Sequence, residues 1–146
     1  GLKRIAPRGR SYRYPVILMQ ILSLVTLLVD DYDRAIAHYC GALGFELRED
    51  TDQGRKRWVH VAPPGSAETG LLLAVASTDE QRARIGDQTG GRVGFFLQTD
   101  DFWRDHARMT AQGVEFLETP REESYATVAV FRDAYGNRWD LLQPKG

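Results

Sequence analysis

The sequence is poor in residues that build covalent or metal-rich frameworks: one cysteine, Cys40, and three histidines among 146 residues. A single thiol cannot close an internal disulfide, so the fold must rest on a packed core, and a cytoplasmic setting is the expectation. No run of about 18 apolar residues is present, so no membrane partner is expected. A glycine-rich phosphate loop is also missing, because GDQTGG carries no lysine and opens no strand-to-helix unit. Nor is there an excess of positive charge. The net charge is −1, and Lys3, Arg4, Arg8, Arg10 and Arg13 stand in the first 18 residues without an acid, which leaves −6 on the remainder. An acidic body excludes the clustered basic face that a nucleic-acid partner requires. Residues 1–18 are expected to be an extension or a segment added for expression, with a transit peptide as the alternative and room for a short strand at YPVIL. Residues 19–146 are expected to form a single domain.

What the chain does contain is ordinary for a globular protein, with 42% apolar and 27% charged residues, and it is repeated. The run ILSLVTLLV from Ile21 ends at Asp30-Asp31, which can cap a helix over DYDRAIAHYCGALGF. Ile36, Tyr39, Cys40 and Leu43 recur there at helical spacing, and Gly44 stands at its end. Strands follow from Phe45, at Trp58–Val61 and at Gly70–Ala76. The second half repeats the order. VGFFLQT ends at Asp100-Asp101, a helix DFWRDHARMTAQ follows, Gly113-Val114-Glu115-Phe116 matches Gly44-Phe45-Glu46-Leu47, and strands are predicted at Tyr125–Arg132 and Asn137–Gln143. VDDYDRA and TDDFWRD lie 70 residues apart. Module one spans about 20–76, a polar linker 77–92, and module two 93–143, each a βαβββ unit.

This paired repeat, with LVDDYDRAIAHYCGALGFEL opening the first copy and FRDAYGNRWDLLQP closing the second, resembles the vicinal oxygen chelate superfamily. That group includes glyoxalase I, bleomycin-resistance proteins and extradiol dioxygenases. RWVHVAPPGS is similar to its glyoxalase or bleomycin-resistance-like members. The resemblance implies an α+β fold of two tandem βαβββ modules whose curved mixed sheets form a cleft, a homodimer, and a small-molecule ligand or substrate. In metal-using members four side chains, usually His or Glu, hold a divalent cation. Here those places fall at Leu24, Leu72 or Leu73, Gly94 and Asp140, so Asp140 is the only retained donor. No metal and no other cofactor is therefore expected. The alternative is zinc, nickel, manganese or iron held through displaced ligands such as His60 and Asp140.

Strand alternation selects the remaining candidates. In RWVHV, Trp58 and His60 share one face, and His60 is either a general acid or base or a strand histidine hydrogen-bonded to a neighbour. Leu24, Thr26 and Leu28 join them from module one. Gly94, Phe96, Gln98, Arg138 and Asp140 complete the expected cleft from module two, with Arg138 and Asp140 able to pair when it is empty. Thr26, Trp58, His60, Phe96, Gln98, Arg138 and Asp140 are the candidate ligand contacts, the alternative being a face filled by its own side chains. His106 is expected in a packing stripe with Phe102 and Met109, His38 at the surface, and Cys40 as a buried inert thiol. Two functions from different classes follow. One is a metal-free binding or sequestering protein. The other is an enzyme, either metal-free through His60 or a metal-dependent lyase, isomerase or dioxygenase.

Overall fold

Both copies of the repeat begin as an apolar strand that runs into paired aspartates. The computed structural model describes residues 20–146, so the readings of residues 1–18 lie outside it. Strand β1 (Leu24–Val29) leads to helix α1 (Tyr32–Ile36), which passes directly into a π-helical stretch, Ala37–Ala42. Strands β2 (Glu46–Asp52), β3 (Arg57–Ala62) and β4 (Gly70–Val75) complete module one, and the linker carries the short helix α2 (Asp79–Ala83). In module two, β5 (Val93–Gln98) leads to α3 (Phe102–Ala111), β6 (Glu115–Phe116), β7 (Arg121–Glu122), β8 (Ala126–Arg132) and β9 (Arg138–Pro144). Asp31 accepts the backbone N–H of Arg34 at 2.8 Å and Asp101 that of Arg104 at 3.1 Å, so each satisfies a donor that the first helical turn leaves open. Both helical segments stop at a glycine of positive φ, Gly44 (+75°) and Gly113 (+86°).

The result is α+β, with two mixed sheets. The first has the order β1-β4-β3-β2 and the second β5-β9-β8-β6, with β7 paired to β8. The edge pairs β1–β4 and β5–β9 are parallel and the others antiparallel. Module two departs from the expected three strands after its helix, because two short strands, β6 and β7, replace one. Pro120, which has no N–H to give a ladder, lies between them. Glu118 compensates: its Oε1 accepts the N–H of Val130 at 3.1 Å.

Alternate strand residues face the helices. Leu27, Val29, Val59, Val61, Leu71 and Leu73 from the first sheet share one core with Ala129, Phe131, Trp139 and Leu141 from the second, and Tyr39, Phe102 and Met109 belong to the same cluster. The modules are locked by the turn between β8 and β9. Asp133, 4% exposed, accepts hydrogen bonds from Tyr39 Oη (2.6 Å), Asn137 Nδ2 (3.0 Å) and Trp139 Nε1 (3.0 Å), and from the backbone N–H groups of Tyr135, Gly136 and Asn137. His38 does not stand free at the surface as expected. It is half-buried, and its Nε2 accepts the N–H of Ala134 at 3.0 Å, a long-range partner that no local pattern announces.

Two outcomes are expected. Tyr39→Phe removes one donor to a buried carboxylate and should lower unfolding stability by about 1.5–3 kcal/mol in urea titration. Burial, with the Arg34 charge adding to it against Asp133, holds His38 below the usual imidazole range, so the unfolded chain binds its proton more readily. The His38 contribution is therefore complete above about pH 6.5 and is lost as the pH falls from there through the folded value. His38→Gln should flatten stability against pH across that window.

Candidate functional site

Strand pairing fixes which residues lie side by side on the faces turned away from the helices. Across the first sheet, Thr26 on β1, Leu72 on β4, His60 on β3 and Glu49 on β2 form one row. Trp58 lies beside Thr51, one step along the same face. In the second sheet the matching row is Phe96, Asp140 and Val130, with Gln98 beside Leu142 and Arg138 beside Arg132. Neighbouring strands stand about 4.8 Å apart, so His60 is held roughly 10 Å from Thr26 across β4. The candidates thus divide by sheet: Thr26, Trp58 and His60 on the first, Phe96, Gln98, Arg138 and Asp140 on the second. Phe96 is 66% exposed, and Thr26, Gln98 and Arg138 are exposed as well, while Trp58, His60 and Asp140 are half-buried.

His60 and Asp140 carry the unusual electrostatics. The Nε2 and Cδ2 edge of the His60 ring lies against Gly70, where a Cβ would overlap it. Its Nε2 is shielded and has no hydrogen-bond partner among the described residues. Burial lowers the His60 pKa, the Arg48 charge lowers it further, and Glu49 opposes them. This favours a neutral imidazole. Asp140 likewise has a shielded oxygen, Oδ1, without a partner. Burial raises its pKa; the Arg121 charge opposes that and Glu118 reinforces it. The expected pairing of Asp140 with Arg138 is not seen, since the charges bearing on Asp140 come from Arg121 and Glu118. Residues two apart on a strand stand about 6.6 Å apart, and Arg138 lies opposite Arg132 in the β8–β9 ladder.

The divalent-metal site does not fit these residues. Leu73 points into the core, 1% exposed, which leaves Leu72 on the outer face beside Leu24, Gly94 and Asp140. Gly94 has no room for a side chain, because a Cβ there would come within 2.7 Å of the Thr89 methyl. Among the described residues no three His, Cys, Asp or Glu side chains converge.

Three cavities stand out, of about 630, 390 and 320 Å³. Thr26, Trp58, His60, Arg138 and Asp140 line none of them. Gln98 borders the largest, and Phe96 borders the smallest, an apolar groove that runs from Val25 to Trp139. His106 packs as expected, its ring 5.6 Å from Phe102 and 4.2 Å from Phe116. Cys40 is half-buried, and burial raises its thiol pKa. Sequence reasoning missed Arg48 and Glu49 beside His60, and Glu118 and Arg121 beside Asp140. Glu49 could have been found by pairing β2 with β3, but the bulge between Leu47 and Glu49 shifts that register.

Two mixed sheets built by a doubled strand-helix-strand unit define the vicinal oxygen chelate fold class. The chain belongs to the Glyoxalase/Bleomycin resistance protein/Dioxygenase superfamily, whose family model matches residues 21–141. An uncharacterized protein of Shewanella frigidimarina is 55% identical over 86% of this chain and 95% of its own length. Among solved structures, UcmS2 is 30% identical with a TM-score of 0.75, covering 86% of this chain and 98% of that one. TnmS3, an antibiotic binding protein from Streptomyces sp. CB03234, is 29% identical with a TM-score of 0.70, covering 90% of this chain and all of that one.

The neighbours of His60 make its titration testable. Followed by NMR, its imidazole should titrate below the usual value of about 6.5. Arg48→Gln should raise that midpoint and Glu49→Gln should lower it; a midpoint indifferent to both would refute the assignment of the two charges.

Proposed function

We propose that the protein binds a small organic molecule against the outer faces of its sheets, without a divalent metal, as a cytoplasmic homodimer. One observation carries this reading. Two shielded polar atoms without partners among the described residues, His60 Nε2 and Asp140 Oδ1, lie on the outer faces of the two sheets, on the same faces as Trp58 and Phe96 respectively. A buried polar atom left unpaired costs about 1–3 kcal/mol, and a ligand that supplies the missing hydrogen bonds recovers that cost. The aromatic neighbours suit a planar ring system, and Asp140 suits a proton donor or cation on it. Thr26, Gln98 and Arg138 are the further polar contacts. The similarity to TnmS3 supports binding, rather than turnover, as the function.

A second copy of the chain is the proposed means of bringing the two faces together. Strands β1 and β5 are sheet edges, and among the described residues Gln88, bonded to Thr26 O and Leu28 N, covers part of the β1 edge. Exposed Val25 and Phe96 lie beside the apolar groove. The competing reading is enzymatic, with the neutral His60 imidazole as general acid or base. It is favoured by the same unpaired Nε2. A metal-dependent lyase, isomerase or dioxygenase would need donors beyond His60 and Asp140.

Thermal-shift screening with antibiotics that carry aromatic rings, polycyclic aromatic compounds and bleomycin among them, should find a compound that raises the melting temperature, since a ligand selective for the native state stabilises it. His60→Ala and Asp140→Asn should each weaken that compound about tenfold, equivalent to one strong polar contact. Phe96→Asp should abolish both the shift and the dimer in sedimentation. Stoichiometric zinc, nickel, manganese or iron that disappears on His60→Ala or Asp140→Asn would overturn the metal-free reading, and a dimer unaffected by Phe96→Asp would overturn the interface.

A further inference from the structure

The internal repeat supplies a template for the largest of the three cavities, which meets the sheet faces at Gln98. At the first strand-to-helix corner, Asp30 pairs with Arg34 at 2.5 Å, and the turn between β8 and β9 of the other module fills the space beside them. The Tyr135 ring lies 4.8 Å from the Arg34 guanidinium carbon. Its shielded hydroxyl lies in the field of Asp30 without a hydrogen bond of normal geometry. The linker closes over this turn at Gly86, whose lack of a Cβ lets the backbone of Tyr135 approach.

The second corner has the same frame 70 residues on but no such plug. Asp100 pairs with Arg104 at 2.8 Å. In the place of the Asp133–Asn137 turn, the connection from β3 to β4 brings Pro63, Pro64 and Gly65, and no aromatic ring. A cavity of about 630 Å³ remains open there, with Phe45, Leu97 and Met109 among its apolar walls, a size within the range of small-molecule sites. Exposure records the difference: the Asp100 side chain is 87% exposed and that of Asp30, beneath Tyr135, 46%. Arg104 is gripped by its edge, through Nη2 to Asp100 and Nε to Asp105, which leaves the planar face of the guanidinium for an aromatic ring. Arg108 is already engaged by the carbonyls of Ala42 and Leu43, so Arg104 is the cation available to a ligand. The copies differ at the base of the corner, where Asp105 stands in place of the buried Ala35, and Thr99 donates to it at 2.5 Å.

We propose that this cavity is a binding site for a phenolic small molecule, its ring stacked on the Arg104 guanidinium and its hydroxyl directed to Asp100, in the manner of Tyr135 at Arg34 and Asp30. The site shares Gln98 with the contacts proposed on the sheet faces, but recognition of the phenol rests on Arg104 and Asp100 and does not depend on what those faces bind. The direct probe is 4-methylphenol, the tyrosine side chain alone, titrated into the ¹⁵N-labelled protein. Saturable amide shifts are expected at Gly65, Thr99, Arg104 and Arg108, with a dissociation constant in the millimolar range fit for so small a ligand. Toluene, which lacks the hydroxyl, and Arg104→Ala should each weaken binding about fivefold, the size of an exposed cation–π contact or hydrogen bond. Shifts that do not saturate, that map to Trp58 and Phe96 instead, or that are as strong for toluene as for the phenol would overturn the proposal. So would undiminished binding by Arg104→Ala.

Discussion

The six hydrogen bonds converging on Asp133 are the constraint on which the arrangement of the two modules depends. A carboxylate at 4% exposure is tolerable only when its lone pairs are met by donors. Three of those donors are backbone N–H groups of one tight turn, which fixes the turn and with it the start of β9. Two more, Asn137 and Trp139, belong to the same hairpin. The sixth is Tyr39, from the helical segment of module one. One side chain therefore sets the register of β9 and holds the first helix against the second module. Asp140 and Arg138 have the positions they do because the hairpin begins where Asp133 holds it.

Once the helix-facing sides share a core, the other sides of the sheets are the surface on which function can be built, and glycines decide what stands there. Gly70 and Gly94 act in opposite senses. The first makes room for the Nε2 edge of the His60 ring against the sheet, where that nitrogen is shielded from water. The second removes a side chain from a place where a metal-binding relative would have a donor, and the linker residue Thr89 takes the space. The same absence of a Cβ thus shields one nitrogen base and eliminates one metal position.

Much of this was legible from local pattern. The aspartate caps, the apolar alternation of β1, β3, β5 and β9, and the repeat itself rest on short periods and on hydrogen bonds within four residues, which a sequence displays directly. Trp58 with His60, and Phe96 with Gln98, followed from period two alone. What stayed hidden depends on contacts between distant segments. Asp133 reads as an ordinary turn aspartate, and nothing near it indicates that Tyr39, 94 residues away, will donate to it. His38 looks like a surface residue until the backbone of Ala134 arrives. The surroundings of Asp140 were misjudged for the same reason: Arg138 is its neighbour in sequence, whereas Arg121 and Glu118 are its neighbours in space. The split between β6 and β7 is different, since it falls at Pro120, a local signal that the expectation of three strands did not use.

The two copies keep one backbone frame and fill it differently, and the differences fall where chemistry is needed. The rows Thr26-Leu72-His60 and Phe96-Asp140-Val130 occupy equivalent strand positions. One row places an imidazole where the other has valine, and the other places a carboxylate where the first has leucine. These faces present an uncharged nitrogen on one side and an acid on the other. The corners diverge in the same way, with Tyr135 closing one and the other left open beside Arg104. Duplication accounts for the shared geometry, and because a fold of this kind does not by itself fix an activity, the proposed binding rests on the positions at which the two halves no longer match.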